Sequence, residues 1–148
     1  MGLRVIAVDS GSSKRSVSIE SGAEVFIDFN ESDVAAEVAK HTGEGAAAIM
    51  VVSDAEDAFR LSAHLARPGG TILCIGLPPD HLEIPISVAL TIKGVLVGST
   101  DDMQELFQHA VDGLIKPLIE VVGLLEVPDS MKKLVKKEIS GRIVVALP

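Results

Sequence analysis

Hydrophobic residues along this chain fall into short continuous runs, separated by polar stretches with helical spacing. Leu3-Arg-Val-Ile-Ala-Val8 is a β-branched run closed by Asp9 and the flexible Ser10-Gly-Ser-Ser13, which predicts a strand over residues 3–8 opening into a loop. Residues 14–21 read as a short helix stopped by Gly22, and Glu24-Val-Phe-Ile-Asp-Phe29 as a second strand. Ser32 or Asp33 can cap a helix through Lys40, because a short side-chain oxygen accepts a hydrogen bond from a first-turn N–H. After the turn Thr42-Gly-Glu-Gly45, residues 46–52 are apolar at every position, and their length and flanking breakers favour a buried strand over a helix. An amphipathic helix over 54–65, a turn at Arg67-Pro-Gly-Gly70 and a buried strand over 71–75 complete the order β-α-β-α-β-α-β. Strands alternating with helices of about 10–15 residues are the mark of right-handed crossovers and a parallel sheet.

The pattern changes after Gly76 and Pro78-Pro79. An irregular stretch over 78–85 precedes a helix-like segment over 86–90 and a further strand at Val95-Leu-Val97. Residues 101–113 then form an amphipathic helix, with Met103, Leu106, Phe107, Ala110 and Leu114 at helical spacing. A strand over 119–122, a basic helix over 129–138 and a strand over 141–146 make a β-α-β tail behind Pro117. The predicted fold class is α/β, with a parallel sheet between helical layers. Residues 1–115 and 116–148 are its two parts.

Composition narrows the function classes. A chain of 148 residues suits one ordinary domain, and its net charge of -8 leaves no basic face for a phosphate backbone. Trp and Tyr are absent, so no aromatic platform can stack bases, and no nucleic-acid partner is expected. Lys132, Lys133, Lys136 and Lys137 read as a solvated helix face. The longest apolar run is far short of the ~20 residues a membrane helix needs, and the N-terminus has no basic-then-apolar signal layout. A cytoplasmic protein without a membrane partner is therefore expected. The single cysteine, Cys74, sits in an apolar run as a buried reduced thiol, which excludes an internal disulfide and a Cys-based zinc site. Asp54, Glu56, Asp57, Asp101 and Asp102 stand at helix starts, where the helix dipole explains a carboxylate without catalysis. His64 reads as a half-buried helix residue with no acid/base partner.

Asp9 is the first chemical clue. In a dinucleotide fold, an acid at this strand end accepts hydrogen bonds from the adenosine ribose 2'-OH, and its charge repels a 2'-phosphate. Lys14 follows where it could reach the ribose or a phosphate. Asp before Ser-Gly is equally an everyday strand-ending turn, so both readings stand at this point. The Gly-rich turn that approaches the pyrophosphate belongs about 20 residues before such an acid, and only eight residues precede Asp9.

Six strings now line up in order: Gly2-Leu-Arg-Val-Ile-Ala-Val-Asp9, Ser18-Ile-Glu-Ser-Gly-Ala-Glu-Val-Phe-Ile-Asp28, Arg67-Pro-Gly-Gly-Thr71, Ile75-Gly-Leu-Pro78, Val97-Gly-Ser99 and Ile139-Ser-Gly-Arg-Ile-Val-Val145. Together they resemble the C-terminal part of zinc-type alcohol dehydrogenases of the medium-chain dehydrogenase/reductase superfamily, especially the yeast and fungal type. The resemblance implies a three-layer Rossmann-like sheet lacking its first strand and Gly-rich loop. It implies NAD as cofactor, with Asp9 and Lys14 as adenosine-ribose contacts. Val52, Ser53, Ile75, Gly76, Leu77, Val97, Gly98 and Ser99 would lie along the nicotinamide half, and Arg142 would approach from a tail that packs on the catalytic domain. Zinc belongs to the full-length family. Its ligands precede the matched region, and His41, His64, His81 and His109 show no spacing that could replace them. The loop after Ser99 also looks shorter than in relatives, with Thr100-Asp101-Asp102 running straight into the helix.

In the strand order 3-2-1-4-5-6 the absent first strand is the central one, so its loss leaves two half-sheets with raw edges. Pairing of residues 3–8 with 47–52, strand exchange between protomers, or a companion polypeptide could close the gap. The resemblance adds a homo-oligomer paired through the edge strand at Val95, Leu96 and Val97. Two functions follow: the cofactor-binding portion of an alcohol dehydrogenase, inactive alone, or a non-catalytic remnant that oligomerises or binds nucleotide. A flavodoxin- or receiver-like domain is a weaker alternative.

Overall fold

The computed structural model describes residues 2–78, 84, 86–136 and 138–147. In chain order the elements are β1 (Ile6–Asp9), α1 (Ser12–Glu20), β2 (Val25–Asp28), α2 (Val34–Thr42), β3 (Ala46–Val51), α3 (Glu56–Leu65), β4 (Ala66–Cys74) and β5 (Thr91–Gly94). They are followed by α4 (Thr100–Val111), β6 (Ile119–Gly123), a 3-10 turn at Leu124–Glu126, α5 (Val127–Val135) and β7 (Arg142–Ala146). The chain divides into two compact units, residues 1–11 with 22–97, and residues 12–21 with 98–148.

The first unit holds two parallel ladders. β1 pairs with β2 in the register Ile6↔Val25 to Asp9↔Asp28, and β3, β4 and β5 form a three-stranded sheet in that order. Apolar side chains join them through one helical layer. Ile27, Val34, Val38 and Leu65 are buried together, with Ile6, Val25 and Ile49 packed against them, so α2 and α3 cover strands of both ladders. Beside this lies a second cluster of Val51, Phe59, Ala63 and Ile72, which Cys74 and Leu90 also touch. Among the described residues no ladder joins β1 to β3, so the pairing of residues 3–8 with 47–52 is not the way the gap is closed. Among the described residues β1 and β3 each form a ladder along one edge. β3 is not the buried strand its composition suggests: Ala47, Ala48 and Met50 are exposed.

In the second unit β6 and β7 pair in parallel, from Ile119↔Arg142 to Gly123↔Ala146, around the α5 connection. The expected β-α-β tail is present. Pro128 opens α5, where a missing N–H costs nothing, so the helix starts two residues before the expected position. Lys132 pairs with Asp129 and Lys133 with Glu120, both on exposed side chains, as a solvated face requires; Lys137 lies outside the described residues.

Several expectations need correction. The turn at 67–70 is absorbed into β4, whose register jumps from Ala46↔Ala66 to Ala48↔Thr71. The Pro-Gly-Gly segment is thus an irregularity within a ladder rather than a break before it. Residues 86–90 are not helical. The Ala89 carbonyl accepts a hydrogen bond from Gly69 N–H at 2.7 Å, and five residues recover too little to offset helix nucleation. Much of the irregular stretch at 78–85 lies outside the described residues. The last strand of the sheet is Thr91–Gly94, not 95–97: its ladder with β4 ends at Cys74↔Gly94, and Val97 adopts a positive φ of 50° at 89% exposure. A β-branched residue in that region cannot continue a strand. His64 is exposed rather than half-buried.

Candidate functional site

β1 ends at Asp9, and β2 ends at Asp28 directly beside it in the ladder. The Asp9 carboxylate accepts a hydrogen bond from the Ser10 N–H at 2.8 Å, and its carbonyl accepts one from Phe29 N–H at 3.2 Å. Asp28 is buried, 7% exposed. Its carboxylate accepts from Gly11 N–H at 2.8 Å and from Asn30 N–H at 2.9 Å. Local pattern points to Asp9 and not to Asp28, whose one signal is that an acid closes the apolar run Val25-Phe-Ile-Asp28.

The loops that follow β3, β4 and β5 leave one end of their parallel sheet. Two of them are locked together: Ile75 and Gly76 N–H both donate to the Val51 carbonyl, at 2.9 and 2.8 Å. A Cβ at Gly76 would collide with the Ser53 carbonyl oxygen, so the two backbones approach closely only because this residue is glycine. Val52, Ser53, Ile75, Gly76 and Leu77 are therefore brought together, and Val52, Ser53 and Leu77 are exposed. Val95 N–H donates to the Cys74 carbonyl at 2.9 Å, which carries the chain out of β5 toward Val97. Cys74 is partly buried rather than buried, and desolvation pushes its thiol pKa up.

The remaining predicted contacts lie in the second unit. Lys14 sits in the first turn of α1, exposed to solvent. Ser99 caps α4: its hydroxyl accepts from Asp102 N–H at 3.2 Å, while the Asp102 carboxylate accepts from the Ser99 N–H and hydroxyl, both at 2.7 Å. These bonds from Ser99 hold the Asp102 pKa below the ordinary aspartate range. Gly98 packs beside the Asp102 side chain. Arg142 opens β7, exposed, with its guanidinium donating to the Gly141 carbonyl at 3.3 Å. Among the described residues no group of three or more His, Cys, Asp or Glu side chains is placed to hold a metal ion, and no helix is long and apolar enough to cross a membrane.

The sequence signature of the zinc-binding dehydrogenase family matches residues 1–112. The chain belongs to that family. Similar curated proteins include alcohol dehydrogenase 1 of Emericella nidulans, 36% identical over 156 aligned residues that cover 100% of this chain and 45% of the relative. An alcohol dehydrogenase of Geobacillus stearothermophilus is 34% identical, covering 98% of this chain and 44% of its own length. Among solved structures, the alcohol dehydrogenase of the hyperthermophilic archaeon Aeropyrum pernix aligns with a TM-score of 0.87 at 26% identity, covering 97% of this chain and 42% of that one. The chain thus spans less than half the length of these curated relatives, and corresponds to their C-terminal part. Its fold is α/β and Rossmann-like, as the six aligned strings imply.

Proposed function

We propose that this chain is the NAD-binding portion of an alcohol dehydrogenase, with residues 1–115 as a partial cofactor domain and 116–148 as a tail that packs on a catalytic domain. The observation that carries the reading is the partly buried Asp9 carboxylate at the C-terminal end of β1, in a chain of the zinc-binding dehydrogenase family. That carboxylate suits a ribose 2'-OH and disfavours a 2'-phosphate, with Lys14 as its cationic neighbour in sequence. The glycine-dependent contact between Ser53 and Gly76 supports a backbone surface against which the flat nicotinamide half can lie, with Val52, Ile75 and Leu77 beside it. The resemblance adds Val97, Gly98, Ser99 and Arg142 as further cofactor contacts. Exposed Leu124, Leu125 and Leu147 at the end of β6 and β7 support packing of the tail on another polypeptide surface, Leu125 being 95% exposed.

When bound, NAD supplies the hydride acceptor, and the chain's share is to hold and orient it. The described residues do not fit a zinc site, and no step through zinc is assigned to them. The chain alone is expected to turn over no alcohol.

Titration of NADH into the purified chain, followed by nicotinamide fluorescence, tests this reading without interference, because the protein has no Trp or Tyr. Saturable binding that weakens about tenfold in Asp9→Asn is expected, as for loss of a charge-assisted hydrogen bond. No binding at about 1 mM NADH, a ceiling corresponding to very weak association, would favour the second reading. Alcohol-dependent NADH production by the chain alone would overturn the expectation of inactivity. The second reading, a non-catalytic module that assembles with itself, is favoured by the exposed strand β5 at the margin of its sheet.

A further inference from the structure

Asp28 is the one charged side chain among the buried described residues. A buried carboxylate is retained only where hydrogen bonds replace its lost water, and here they come from backbone amides of two different loops. Gly11 N–H, after β1, reaches Oδ2 at 2.8 Å, and Asn30 N–H, after β2, reaches Oδ1 at 2.9 Å. The Asp28 carbonyl also accepts from Ser32 N–H at 3.0 Å. Successive amides of one turn are thus divided between two acids on adjacent strands: Ser10 N–H goes to Asp9 and Gly11 N–H to Asp28. Gly11 has a φ of +90°, a conformation that side chains rarely adopt, so the turn depends on both the glycine and the anchor that holds it.

We propose that Asp28 is a positioning and specificity-determining residue of the nucleotide site. It fixes the turn that presents Asp9, and it places a second negative charge one strand away in the register Asp9↔Asp28. Discrimination against a 2'-phosphate then comes from two carboxylates rather than one, the inner of them poorly screened because it is buried. The proposal rests on the reading of Asp9 as a ribose contact.

The test compares NADH and NADPH binding by nicotinamide fluorescence in the full chain, Asp28→Asn and Gly11→Ala. Asp28→Asn keeps the shape but loses the charge and sets an amide against backbone donors. It is expected to weaken NADH about tenfold while NADPH weakens less or improves, narrowing the ratio of the two. Gly11→Ala strains the turn with both charges retained, so it is expected to weaken both ligands and to narrow the ratio less than Asp28→Asn does. Hydrogen exchange supplies a readout independent of ligand: the Gly11 amide should exchange faster in Asp28→Asn. An unchanged NADH/NADPH ratio in Asp28→Asn, with wild-type binding normal, overturns the specificity role alone. Unchanged Gly11 exchange overturns the positioning role. Failure of the wild-type chain to bind either dinucleotide overturns the ribose reading and the proposal with it. If Asp28→Asn does not fold, undiminished NADH binding in Gly11→Ala overturns the positioning role.

Discussion

At Gly76 a single hydrogen atom decides how two loops meet. A methyl group there would have to displace the Ser53 carbonyl, and backbone cannot swing aside as a side-chain tip can. Gly76→Ala is expected to cost about 1–3 kcal/mol, the usual scale for overpacking, and to lower the urea midpoint with the denaturant slope unchanged. A midpoint equal to wild type would mean that the loops relax freely. The place of Asp9 at the end of β1 is legible from the β-branched run before it. The role of Asp28 was not, because only the parallel ladder brings residues 9 and 28 side by side, and register between distant strands leaves no trace in local pattern.

At the scale of elements, helix ends carry the most local information. Asp33 caps α2 by accepting from Ala36 N–H, one of the two capping residues the sequence allows, and the reciprocal Ser99 and Asp102 bonds start α4. The depressed Asp102 pKa fixes a sign. A carboxyl whose folded pKa lies below its unfolded one stabilises the fold above the ordinary aspartate range, and that contribution is lost as pH falls through the folded value. Helicity followed by circular dichroism should therefore decline below about pH 4, near the reference aspartate value, and Asp102→Asn should remove that part of the decline. An identical acid profile in the variant would assign the loss to other carboxylates. Strand boundaries were less legible than caps. Val95, Leu96 and Val97 have better β propensity than Thr91-Ile-Lys-Gly94, yet pairing with β4 selects the latter. Propensity describes a residue, whereas a ladder needs a neighbour in reach.

For the whole molecule, the alternation of strands and helices was enough to read an α/β chain with parallel pairing. What it could not supply was how two ladders coexist without a strand between them; the shared apolar layer of α2 and α3 answers that. The outer margin of β5 bears on assembly. Val95 N–H faces β4, so by the two-residue alternation of a strand the Ile92 N–H faces outward, where a second copy could pair with it. If the chain forms a homo-oligomer through β5, sedimentation should give a mass above that of one chain, and Ile92→Pro should return it to the monomer with its β4 ladder kept. An unaltered oligomer in Ile92→Pro would place the interface elsewhere.

The outer edges of β1 and β3 carry a further consequence. Among the described residues β1 forms a ladder with β2 and β3 with β4, and a strand edge without a ladder neighbour is a template for any strand that reaches it. In dilute solution such encounters are rare; in concentrated solution each molecule can serve as a template for the next, so the state of this chain is expected to depend on its concentration.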